Sequence, residues 1–213
     1  VAAKPAEQTC LTGAAAVDIL HEAGIPYDVL HYLPGDGPGV GGPLIQDPRV
    51  AGVAMTGSVE TAKLINKQLA ERAGPIVPFI AETGGQNAMI VDSTALPEQV
   101  VMDVLQSAFA SAGQRCSALR VLFVQDEVAD TMIRMIQGAM DELRLGDPAD
   151  LATDVGPVID TEARDMLQGH IKAMTRNAKL LRQAPLPEGA EHGTFVPPTA
   201  VEIERIQQLQ REV

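Results

Sequence analysis

The chain has 213 residues, 46% of them hydrophobic, enough for one large domain or two smaller ones. A formal charge of −12 excludes a nucleic-acid surface, which needs clustered cations, and no apolar run is long enough for a transmembrane helix. Two cysteines cannot build a disulfide framework and point to a reducing compartment, and Val1-Ala2-Ala3-Lys4-Pro5 lacks the basic-then-apolar layout of a signal peptide. The missing initiator Met predicts a start inside a longer protein, and Val1 a start inside a strand.

In chain order, strand-like and helix-like segments alternate, which predicts an α/β fold with a mostly parallel, helix-covered sheet. Thr9 is placed to cap a helix over 10–23, stopped by Gly24 and Pro26. A strand over 28–33 leads into the glycine-rich stretch 35–43. Residues 50–55 read as a buried strand running through Thr56-Gly57-Ser58 into a helix that ends near Ala73. Residues 76–80 and 88–91 are short strand candidates flanking a loop that carries Glu82. Pro97 suits a helix first turn, and Val100, Val101, Val104, Leu105, Ala108 and Ala112 keep one helical face up to Gly113. Residues 119–124 read as a strand, and Val128, Met132, Met135, Ile136, Ala139, Met140 and Leu143 as the core stripe of the next helix. A last long helix is expected over 160–182, followed by a loop or linker from Pro185 to Pro198. The change of character between Glu82 and Ser93 suggests a domain boundary there.

Cys116 follows Gly113-Gln114-Arg115 between a helix and a strand, so it is expected at a turn, where backbone donors favour a thiolate. Such a thiolate adds to an aldehyde, and the adduct expels hydride to leave a thioester. The Cys116 backbone N–H would then hold the oxyanion, worth roughly 3 kcal/mol per donor. By itself, Cys116 reads more readily as a small core cysteine, the commoner fate of that residue. Hydrolysis of a thioester needs a base, and Glu82 beside the flexible Thr83-Gly84-Gly85 fits that task, although a lone Glu is ordinarily a solvated carboxylate. Thr56-Gly57-Ser58 at a strand-to-helix junction can cradle a phosphate, or simply cap the helix. Lys4 and Glu7 are candidates for the ribose hydroxyls of a dinucleotide. Gly37-Pro38-Gly39-Val40-Gly41-Gly42 matches G-x-G-x-x-G, but Pro38 and Pro43 mar the helix that must start there, so it reads as a structural turn. The four histidines lack metal-ligand spacing, and no metal is expected. Lys172, Arg176, Lys179 and Arg182 read as a solvated helix face. Nothing in the sequence argues that Cys10 and Cys116 lie close together.

In order and spacing, Lys4-Pro5-Ala6-Glu7-Gln8-Thr9, Thr56-Gly57-Ser58, Glu82-Thr83-Gly84-Gly85 and Gly113-Gln114-Arg115-Cys116 resemble the aldehyde dehydrogenase superfamily. Ala81 to Ser93, Arg115 to Val121, Gly156 to Asp160 and Phe195 to Thr199 resemble the L-glutamate γ-semialdehyde dehydrogenase module of the bifunctional proline-utilisation flavoenzyme. The resemblance implies an aldehyde-dehydrogenase-like fragment: residues 1–81 as the C-terminal part of a Rossmann-type NAD-binding domain, and 82–213 as the N-terminal part of the catalytic domain. It implies Cys116 and Glu82 as catalytic, and Lys4, Glu7, Thr56, Gly57, Ser58, Glu82, Thr83, Gly84 and Glu212 as NAD contacts. Arg115 and Ser117 are implied as substrate contacts. The expected cofactor is NAD, with any FAD held by a separate proline dehydrogenase domain outside this chain. The expected partner is a small aldehyde, with no nucleic acid, in a homo-oligomeric bacterial cytoplasmic protein held at the inner membrane, if at all, by other domains. Cys10 stands where the family commonly has proline, a change expected to be neutral. The family's oxyanion asparagine and substrate-anchoring loop are missing from these residues, so the 213-residue piece is expected to be inactive alone. Other aldehyde dehydrogenases, including CoA-acylating ones, and a non-catalytic dinucleotide-binding or assembly piece are the alternatives. Glu82 argues against acylation, which needs no water-activating base.

Overall fold

The computed structural model describes residues 1–209 and divides into two compact units, Val1–Thr83 and the residues from Gly84 onward. Among the described residues the strands form four two-stranded pairs, three parallel and one antiparallel, rather than one continuous sheet.

In the first unit, β1 (Ala2–Ala3) pairs in parallel with β2 (His31–Tyr32), and α1 (Cys10–Glu22) connects them. Thr9 does not cap α1 as expected. Its hydroxyl donates to the Ala6 carbonyl at 3.2 Å, because a 3₁₀ turn over Glu7–Thr9 already leads the chain into the helix. The strand expected over 28–33 is cut to two residues by a turn closed from Val29 N–H to Pro26 C=O. The glycine-rich stretch is helical: a wide π-type turn over Gly37–Gly41 runs into α2 (Gly42–Gln46). Pro38 and Pro43 are tolerated because each falls in a first turn, where its missing N–H would have had no partner. Asp36 caps the segment, accepting from Gly39 N–H at 2.6 Å.

β3 (Val53–Gly57) then pairs in parallel with β4 (Phe79–Thr83), with α3 (Val59–Glu71) between them. Arg72 just beyond α3 donates to the carbonyls of Ile45, Asp47 and Val50 at 3.0–3.3 Å, which ties down the loop that feeds β3. Ile45 and Ala62 are the buried hydrophobics of this unit among the described residues.

The second unit has a fuller core. β5 (Asn87–Val91) and β6 (Leu119–Val124) pair in parallel, and α4 (Pro97–Phe109) and α5 (Asp126–Asp141) cover one face of the pair. Val91, Val100, Val101, Val104, Leu119, Met132, Ile136 and Met140 form its centre, as the two helical stripes in the sequence predict. Met132 and Met140 are at most 1% exposed, and burial of each contributes roughly 2 kcal/mol.

α6 (Thr161–Asn177) is capped by Asp160, which accepts from Ala163 N–H at 2.8 Å. It ends five residues before the expected limit of 182, because Ala178 turns extended and β7 (Lys179–Gln183) pairs antiparallel with β8 (Thr199–Glu202). Lys179 and Arg182 therefore leave the expected helix face. Lys179 meets Glu202 at 2.8 Å, a bond that raises the lysine pKa, and Arg182 pairs with Asp141.

Candidate active site

The route from α4 to β6 is unusual backbone. Ser111 and Ala112 have φ of 58° and 53°, and Gly113 follows at 69°, so three successive residues wind left-handed. Each non-glycine there costs about 1–2 kcal/mol, which the surrounding contacts must offset. Gly113 is placed where a Cβ would meet the Ala108 carbonyl at 2.9 Å. Gly113→Ala is therefore expected to lower stability by about 2 kcal/mol, read as a fall in thermal midpoint. An unchanged midpoint would show that this backbone is not held as described.

After Gly113 the chain makes two tight turns. Arg115 N–H bonds the Gly113 carbonyl at 2.9 Å around Gln114, and Ala118 N–H bonds the Arg115 carbonyl at 3.0 Å. Cys116 and Ser117 are the central residues of that second turn, at the amino ends of β5 and β6, and both are exposed. Among the described residues, Cys116 lies outside the core of its unit.

Four side chains pin the turn. Asn87 Nδ2 donates to the carbonyls of Cys116 and Ala118 at 2.7 and 3.0 Å. Gln114 accepts from Ile159 N–H at 2.8 Å and donates to Ser111 C=O at 3.0 Å, joining the turn to the 156–160 segment. Arg120 donates to the Gly113 carbonyl at 2.8 Å. Arg115 donates to the carbonyls of Gln106 and Ser107 at 2.8 and 3.3 Å, in the last turn of α4. The guanidinium expected to bind substrate is thus bonded to the helix end, whereas Ser117 stays open at the turn. Asn87 and Arg120 were missed as site residues. Each acts on the turn by a contact that no local sequence pattern encodes.

In the first unit, the expected NAD contacts gather at the carboxyl ends of a parallel pair. Thr56 stands opposite Glu82 and Gly57 opposite Thr83, so Thr56 and Glu82 share a face. Glu82 is exposed and lies within β4, not in a loop, because its pairing with β3 extends to Thr83. Ser58 caps α3 by accepting from Thr61 N–H at 3.1 Å, and Thr56, Gly57 and Ser58 are all exposed there. Open strand ends beside a helix N-terminus are where α/β proteins seat pyrophosphate, so these residues fit a dinucleotide. Glu60 in the first turn of α3 partly opposes the anion.

Lys4 follows β1, and its ammonium donates to the carbonyls of Pro5 and Gly35 at 2.6 and 2.8 Å, leaving one proton for a ligand. Glu7 is exposed in the 3₁₀ turn, and Gly84 opens the second unit. Glu212 lies outside the described residues. Glu82 belongs to the first unit and Cys116 to the second. Both cysteines are free thiols, and among the described residues no three His, Cys, Asp or Glu group as a metal-ion set. No helix among them is long and apolar enough to cross a membrane.

Residues 1–212 match the aldehyde dehydrogenase family. The chain belongs to that family. The bifunctional protein PutA of Klebsiella aerogenes is 54% identical over the whole chain, which spans 17% of that protein's length. A crystal structure of Bradyrhizobium japonicum proline utilization A superposes with a TM-score of 0.94 at 56% identity, covering all of this chain and 21% of that one. A Thermus 1-pyrroline-5-carboxylate dehydrogenase with bound NAD gives 0.90 at 31% identity, covering all of this chain and 42% of that one. The fold is accordingly a portion of the aldehyde dehydrogenase fold. The chain spans about a fifth of the length of the PutA proteins it matches.

Proposed function

We propose that this chain is part of an NAD-dependent dehydrogenase that oxidises L-glutamate γ-semialdehyde to L-glutamate, the second step of proline catabolism. The observation that carries the reading is the exposed Cys116 thiol on a turn pinned by Asn87, Gln114, Arg115 and Arg120. In this reading the first unit belongs to the NAD-binding domain and the second to the catalytic domain.

Cys116 Sγ, as thiolate, adds to the aldehyde carbon to give a thiohemiacetal whose oxyanion is met by backbone N–H groups of the turn. Bound NAD would supply the acceptor for the hydride that leaves that carbon. Collapse of the oxyanion is what expels that hydride, and it leaves the glutamyl group as a thioester on Cys116. Glu82 accepts a proton from water, the resulting hydroxide adds to the thioester carbonyl, and Cys116 leaves as thiolate with release of glutamate. Thr56, Gly57, Ser58, Thr83 and Gly84 hold the dinucleotide, with Lys4, Glu7 and Glu212 at its riboses. Ser117 contacts the substrate. Arg115, bonded to the end of α4, supports the turn instead of meeting substrate directly. The same reading makes the full-length protein a homo-oligomer of the bacterial cytoplasm, its flavin and any attachment to the inner membrane belonging to other domains.

The deciding assay supplies full-length protein with L-glutamate γ-semialdehyde and NAD in the absence of coenzyme A. Equal amounts of NADH and glutamate are expected. NADH formation that requires coenzyme A would overturn the hydrolytic reading.

A further inference from the structure

Asn87 is the first residue of β5, half-buried, and none of the chemistry above uses its side chain. Its amide nitrogen lies 2.7 Å from the Cys116 carbonyl oxygen and 3.0 Å from that of Ala118. Only the NH₂ end of an amide can face two carbonyl oxygens, so its orientation is settled by its partners. The strand pairing shifts register at this point, between Asn87 and Ala88, which frees Asn87 to bond the turn by its side chain.

The consequence follows from peptide geometry. In a trans peptide the C=O and N–H point in opposite directions across one rigid plane. Holding the Cys116 carbonyl toward β5 turns the Ser117 N–H to the opposite, solvent side of the turn. Within this unit the described residues give neither the Cys116 N–H nor the Ser117 N–H a partner. Without the clamp the 116–117 peptide is free to flip, as central peptides of β-turns do between types, which would turn a carbonyl oxygen outward where a donor is needed.

We infer that Asn87 is a positioning residue that fixes the Cys116–Ser117 peptide plane, so that the turn presents N–H donors rather than a carbonyl oxygen to charge developing at the Cys116 adduct. The inference rests on Cys116 being the nucleophile.

Three variants of the full-length protein separate this role from simple packing. Asn87→Leu keeps the side-chain shape but has no donor, Asn87→Ala loses both, and Asn87→Ser is small but keeps one donor. Expected kcat losses are about tenfold to a hundredfold for Leu and Ala, with Ser retaining more. KM for the aldehyde and NAD affinity should stay nearly unchanged, and the slow step should be NADH formation in a single turnover. A wild-type kcat in Asn87→Leu would overturn the inference, as would kcat, KM and NAD affinity all falling in step with loss of folded protein. Cys116→Ala is the control. If it stays active, the nucleophile assignment has failed. If it is dead while all three Asn87 variants are fully active, only the Asn87 role has failed.

Discussion

Cys116→Ala in the full-length protein is expected to reduce NADH formation from glutamate semialdehyde to below about a thousandth of wild type, with NAD affinity nearly unchanged. The size of the loss follows from the chemistry. Without the sulfur there is no covalent adduct, and direct hydride loss from a free or hydrated aldehyde lacks the push of a tetrahedral oxyanion next to a thioester-forming bond. Cys10, the other thiol in this chain, cannot substitute. It is the first residue of α1, its sulfur engaged with the Ala6 carbonyl at 3.7 Å, with none of the turn backbone that frames Cys116. NAD affinity is spared because the expected dinucleotide contacts lie at the ends of β3 and β4, not at the turn. Parallel titration of NAD and assay of turnover checks both halves. Residual activity well above that level would remove Cys116 from the role of nucleophile.

How far the sequence led depends on whether the determining forces are local. β6 and the stripe of α5 were legible, because burial against one core writes its period directly into Leu119 to Val124 and into Met132, Ile136 and Met140. The turn at Cys116 was legible from Gly113, whose left-handed φ and contact with the Ala108 carbonyl exclude a side chain. The failures share one cause. Lys172, Arg176, Lys179 and Arg182 keep helical spacing past Asn177, and neither Gly nor Pro marks the end of α6. The helix stops there because residues 179–183 find a partner strand some twenty positions later, and pairing at that distance leaves no trace in a short window. Asn87 lay inside a motif already singled out, yet its bond to the Cys116 carbonyl spans 29 residues and depends on β5 lying beside β6. Arg115, implied as a substrate contact by the resemblance, also donates to the Gln106 and Ser107 carbonyls at the end of α4, a bond that no short window of sequence encodes.

Glu82→Gln is expected to separate the two halves of the reaction. The substitution keeps the shape and the hydrogen-bonding reach of the side chain but removes its capacity to take a proton. Hydride departs before any water is activated, so the first turnover should proceed and yield a burst of about one NADH per site. The thioester on Cys116 then waits for unassisted hydrolysis, and the steady state should fall by about a hundred- to ten-thousandfold, the usual worth of a general base. Glu82 is exposed on β4, opposite Thr56 on the face where the dinucleotide is expected. Rapid-mixing measurement of NADH decides the matter, and trapping of the acyl group on Cys116 by mass spectrometry would identify the species that accumulates. Loss of the burst along with the steady state would place Glu82 before hydride transfer, as the base that ionises the thiol. In that case a different group must activate the water.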